Sequence, residues 1–194
     1  MTVQKSHRSQ NLNSQDLKQP RIAVQSSRQG ALDVTSLVTV AVLIAAGLIL
    51  DLTVGKAISA VGIAPEFVIA SFCLAILLLK PNAVQSVIIG LIAGAVIQIT
   101  TSLPGADLVA ESIAALVMFA FTKSAFAESR IMPFVGSFVT TAVSGLIFAA
   151  IAVPAKHAGL DLFLVMIPVI LCTALFNAIV VQALAEPLSK ATRR

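Results

Sequence analysis

Residues 160–184 read LDLFLVMIPVILCTALFNAIVVQAL. Asp161 is the only charged residue in the stretch, and it stands at the start. A helix needs roughly 17–25 mostly apolar residues to cross the hydrocarbon core of a bilayer, and this block is long enough. Pro168 inside it predicts a kink, and Pro187 follows its end. The reading of this block sets the fold class as an all-α integral membrane protein.

Working back toward the N-terminus, the same pattern recurs. Residues 131–153 form a block closed by Pro154, and residues 106–123 form another. Residues 83–102 are closed by Leu103-Pro104-Gly105. Residues 64–79 make a shorter block with Pro65 suited to a first helical turn, and Pro81 and Asn82 turn the chain after it. Residues 34–50 make the first block, with Asp33 placed to cap it. The expectation is six transmembrane helices over residues 34–188. Residues 51–63 read as an external loop with room for a short interfacial helix. The alternative is a re-entrant second block and five spans.

Composition agrees. Charged residues are 11% of the 194-residue chain, against about 25% in a soluble domain, and mean hydropathy is +0.98. Residues 1–33 are rich in Gln, Ser, Asn and basic side chains and read as a disordered basic cytosolic tail. The apolar chain starts too late for a signal peptide. Residues 189–194 form a second short basic tail. With the first tail in the cytosol, six spans put Lys80, Lys123, Arg130, Lys190, Arg193 and Arg194 inside as well, and leave only Lys56 and Lys156 outside. That is the positive-inside pattern. It places both termini in the cytosol, favours an even number of spans, and assigns the chain to the cell membrane as a multi-pass protein. The basic residues form no patch with interleaved aromatics, so nucleic acid is not an expected partner.

Glu66 and Glu111 are read in the first turns of helices that begin on the outer side, with Asp107 one turn before Glu111. Gln98, Thr100, Thr101 and Ser102 give the third span a polar end at the same level. Ionisable groups in a span usually face the bundle interior or a water-filled cavity, although acids in a first turn also suit the helix dipole. Hydroxyls beside two carboxylates suggest a pocket for a polar solute, with Glu66, Gln98, Thr101, Ser102 and Glu111 as its binding residues. Threonines also satisfy a helix's own last carbonyls. Asn177, deep in the sixth span, suits an interhelical hydrogen bond, and Gln182 suits the interface. Ala41 and Ala45, like Gly90 and Gly94, sit four apart. From spacing alone, such small-residue faces point to packing within the bundle.

Other chemistry is missing from the sequence. There is no GxxxxGK[ST], GxSxG, HExxH or CxxC motif, so no catalytic residues, metal ligands or cofactor are expected. Cys73 and Cys172 read as small apolar thiols. The inner halves of the spans carry no carboxylates for a proton relay, and no inverted repeat is evident. The chain reads as a solute binder that depends on partners to move its solute, and not as an enzyme.

At this point the residues resemble the S components of energy-coupling factor (ECF) transporters, small six-span proteins that bind solutes from outside. Ala41-Val42-Leu43-Ile44-Ala45 is similar to the A-x-x-x-A face by which that family docks on its coupling subunit. Gly62-Ile63-Ala64-Pro65-Glu66, Lys80-Pro81, the helix bearing Gly90, and Thr100-Thr101-Ser102-Leu103-Pro104-Gly105 followed by Glu111 look like the tryptophan-transport (TrpP-like) group. That likeness covers about residues 62–121. The basic tail departs from the group, and Glu stands where Asp is usual at both acidic positions.

The resemblance implies a substrate-binding subunit that docks through Ala41 and Ala45 on a transmembrane coupling subunit carrying a pair of ATPases. It implies tryptophan or a related aromatic compound as solute, with a vitamin or vitamin precursor as the alternative. The ammonium of tryptophan would pair with Glu111 or Glu66, Phe67 or Phe163 would wall the indole, and Lys56 or a helix N-terminus would hold the carboxylate. The reading of a different class is a non-transport membrane assembly or structural protein. A membrane-embedded enzyme would need converging catalytic groups that the sequence lacks.

Overall fold

The computed structural model describes residues 33–59 and 65–192. The expected disorder of the N-terminal tail, the start of the second block at Ala64, and Arg193 and Arg194 fall outside the described residues. Among those described, the chain is all-helical, with six helices: α1 Val34–Ser59, α2 Phe67–Leu79, α3 Ala83–Ile97, α4 Ala106–Lys123, α5 Met132–Ala155 and α6 Leu160–Thr192. Three of them, α1, α5 and α6, are long and apolar enough to cross a membrane, and α2 and α3 are shorter apolar helices. Large apolar side chains such as Val38, Val42, Leu164 and Ile179 point outward and are more than half exposed. Length, composition and this outward apolar surface associate the chain with a membrane.

The centre of the bundle is α2. Its sequence is apolar on every side, which is the pattern of a buried helix rather than a surface one, and all residues from Phe67 to Ile76 are buried. At 1.5 Å per residue its 13 residues span about 20 Å. The helix packs against α1, α4, α5 and α6. Lys80, at φ 47°, ends it in the left-handed conformation, and Pro81 prevents continuation. Asn82 then opens α3 with a capping box: its Oδ1 accepts from Gln85 N at 2.8 Å, and its own N donates to Gln85 Oε1 at 2.9 Å.

Glycines set the closest helix contacts. A Cβ on Gly90 would lie 2.5 Å from Glu111 O, and one on Gly94 would lie 2.7 Å from Asp107 O. These two residues therefore pack α3 directly on the backbone of α4, as the small-residue spacing suggests. Ala41 and Ala45 do not pack inside. Both are exposed on the outward face of α1, because Val40, Ile44 and Gly47 form its buried side.

Several boundaries differ from the sequence expectation. Residues 51–59 are not a loop: α1 continues through a π-helical turn, Asp51–Gly55, and one further α-turn, Lys56–Ser59. Of the polar residues there, Thr53 Oγ1 donates to Ile49 O within the helix at 2.6 Å, and Asp51 turns inward to the start of α2. Asp33 occupies the N-cap position of α1 but its side chain makes no capping bond. Pro65 precedes α2 instead of lying in its first turn, and Glu66 is its N-cap residue. The third helix stops at Ile97, earlier than Ser102, because the side chain of Gln98 is drawn into the next helix start. The fifth includes Pro154 in its last turn. The sixth runs through Pro187 to Thr192, and Lys190 pairs with Glu186 one turn earlier at 2.8 Å.

Candidate functional site

The end of α1, the start of α2 and the connections α3–α4 and α5–α6 meet at one end of the bundle, and the site is built from them. Asp51, at the π turn, accepts from Phe67 N at 2.6 Å and from Val68 N at 3.1 Å. It thereby caps α2 from another helix and leaves the Glu66 side chain free of any capping bond. At the next connection Gln98 works as a clamp. Its Oε1 accepts from Gly105 N at 2.8 Å, and its Nε2 donates to Gly94 O at 3.3 Å and to Asp107 Oδ2 at 3.4 Å. Gly105, at φ +89°, supplies the left-handed turn that starts α4.

On α4, Asp107, Ala110, Glu111, Ala114, Ala115 and Met118 are buried, a stripe at helical spacing that carries both carboxylates on one inward face. Glu111 is in the second turn, one turn deeper than expected, and only 2% exposed. Its Oε1 accepts from Ser144 Oγ of α5 at 2.6 Å, while its buried Oε2 has no partner.

These elements enclose a cavity of about 360 Å³ that is open on one side. Glu66, Asp107 and Glu111 line it, with the hydroxyl-bearing Thr100, Thr101, Ser102, Thr141, Ser144 and Thr173. Phe148 and, from α6, Val165, Met166, Val169 and Ile170 supply an apolar wall. Glu66 is exposed, whereas Asp107 and Glu111 are buried in the cavity wall. Lys156 donates to Ser102 Oγ at 3.1 Å from an exposed position. The structure thus brings together Glu66, Thr101, Ser102 and Glu111. Gln98 is not on the cavity wall; its amide instead holds Asp107 and the α4 start in place.

Neither Phe67 nor Phe163 walls the cavity; Phe67 packs edge-on against Phe176, with ring centroids 5.6 Å apart. Lys56 lines a second, neighbouring cavity of about 230 Å³ that shares Glu66, Ile97 and Thr100 with the first. Sequence reasoning missed Ser144, Thr141 and Phe148. Their signal was present: Ser137, Thr140, Thr141 and Ser144 are all buried, and their i, i+3, i+4, i+7 spacing marks one polar stripe on an apolar helix.

Deeper in the bundle, Asn177 is fully buried. Its Nδ2 donates to Glu66 O at 3.1 Å and to Thr141 Oγ1 at 3.4 Å, so it joins α6 to α5 and to the start of α2, and its Oδ1 has no partner. Gln182 likewise bonds across the bundle, accepting from Phe134 N and donating to Arg130 O, each at 3.0 Å.

No group of three or more His, Cys, Asp or Glu among the described residues is disposed to hold a metal ion. The arrangement is suited to holding a small amphipathic molecule by charge at one point and by apolar contact elsewhere. Comparison of the chain with protein-family models, with curated proteins and with solved structures gave no match.

Proposed function

We propose that this chain is the substrate-binding S component of an ECF-type importer. In this reading all six helices span the cell membrane with both termini in the cytosol. The chain captures a small solute from outside, tryptophan or a related aromatic compound, and passes it on through a coupling subunit carrying a pair of ATPases. It acts by binding and not by catalysis.

The observation that carries this reading is the cavity containing Glu111. A carboxylate buried with one oxygen unpartnered is costly unless something completes it, and it faces a space of small-molecule size with an apolar wall. A solute with an ammonium group and an apolar body satisfies both. The exposed positions of Ala41 and Ala45 support lateral docking, since they leave a low, apolar strip on α1 for another helix to approach.

The chain contains neither Trp nor Tyr, so indole fluorescence reports a bound ligand directly. Titrating purified protein with L-tryptophan is expected to give a saturable blue shift, weakened at least tenfold in Glu111→Gln. Ala45→Leu is expected to leave that shift intact and abolish co-purification with a coupling subunit. Unshifted emission from well-folded protein rules out tryptophan. Unchanged co-purification removes the docking assignment.

A further inference from the structure

The charge balance of the cavity narrows the solute beyond an aromatic compound. Among the described residues its wall holds three carboxylates, Glu66, Asp107 and Glu111, and no Lys, Arg or His. Lys156 reaches only Ser102, from an exposed position, and Lys56 belongs to the neighbouring cavity. An amino acid brought to Glu111 by its ammonium would carry its own carboxylate, two bonds away, into the field of the same three acids. Like charges in a partly desolvated site repel strongly. An amine without a carboxylate meets only attraction.

Among the described residues, the polar partners of the two buried acids leave one buried carboxylate oxygen vacant. Asp107 receives Gln98 Nε2 at 3.4 Å, and Glu111 Oε1 receives Ser144 Oγ at 2.6 Å. Glu111 Oε2 is buried, unpartnered and on the cavity wall. Phe148 is four residues after Ser144 and therefore on the same face of α5, one turn along. It also lines the cavity, where an aromatic face favours a cation. The acids are not disposed to hold a metal ion among them, so an organic cation fits the site better than a bare one.

We propose that the solute is a net-positive amphipathic amine, bound with its ammonium on Glu111 Oε2 and its apolar body against Phe148 and the α6 wall, and that the site discriminates against the corresponding amino acid. This rests on the solute-binding reading above.

The test uses three ligands that share one ring and differ in charge: tryptamine, L-tryptophan and indole-3-propionate. Each is titrated into the purified full-length chain by indole fluorescence, with protein-free micelles as the blank. The expected order is tryptamine at least tenfold tighter than tryptophan, with no saturable signal from the propionate. Glu111→Gln is expected to remove the preference for tryptamine. Tryptophan binding as tightly as tryptamine, or more tightly, overturns the charge selection and leaves the solute-binding reading standing. Saturable binding of none of the three, on protein that elutes as one species, overturns both.

Discussion

At position 51 a single carboxylate determines how two helices meet. The first N–H groups of any helix lack intrahelical partners, and in α2 those of Phe67 and Val68 are satisfied by Asp51 at 2.6 and 3.1 Å. The residue in the N-cap position, Glu66, makes no side-chain capping bond and is left to line the cavity. Capping by a distant residue thus leaves the local acid on the cavity wall. Losing a cap costs about 0.5–2 kcal/mol, and hydrogen bonds to a charged group are worth about 1.5–3 kcal/mol. Asp51→Ala is therefore expected to lower stability by about 1–3 kcal/mol in thermal or denaturant unfolding of the purified protein. Asp51→Asn, which keeps one accepting oxygen, is expected to lose less. Equal stability of Asp51→Ala and the natural chain would remove Asp51 as the cap of α2.

Among the elements, the contact of α3 with α4 positions the acids, and it depends on two missing methyl groups. Gly94 faces Asp107 O and Gly90 faces Glu111 O, at distances where a Cβ meets backbone that cannot rotate away. Overpacking of this kind costs about 1–3 kcal/mol, and relief by separating the helices would shift both carboxylates. Gly136 offers the contrast, because a Cβ there meets the thioether end of Met118 at 3.3 and 3.4 Å, a flexible chain that can give by a few tenths of an ångström. Gly94→Ala is expected to lower stability and weaken ligand binding at least tenfold, while Gly136→Ala does less to both. Melting curves and ligand titrations of the two variants check this, and equal effects would defeat the positioning role of Gly94. The same elements mark how far the sequence was legible. The apolar blocks identify themselves by length, and the glycine spacing announces a close contact. Residues 51–59 did not, since Asp51, Gly55 and Lys56 look like loop residues until the partners of Asp51, sixteen and seventeen positions on, are known. Gln98 is a second case, because the partners of its amide, Gly105 and Asp107, lie across a turn. Long-range pairing is what periodicity does not contain.

For the whole molecule, the distribution of charge between the two ends is the remaining argument. Lys56 and Lys156 lie at the cavity end with Asp51, Glu66 and Asp107, while Lys80, Lys123 and Arg130 lie at the α2–α3 and α4–α5 connections of the other end. Basic residues near span ends favour the cytosolic side, so under the six-span reading the cavity opens to the outside. Each connection supplies an exposed position for a test: Ser124 after α4 and His157 after α5. With Cys73 and Cys172 replaced by alanine, His157→Cys is expected to react with a membrane-impermeant maleimide in intact cells. Ser124→Cys is expected to react only after permeabilisation. Labelling of both in intact cells would mean an even number of crossings between them, which is incompatible with α5 as a single span. The reversed pattern would keep the fold and turn the acidic cavity toward the cytosol. The chain would then have no means of capturing a solute from outside, and the importer reading would fall while the cation preference of the cavity survived.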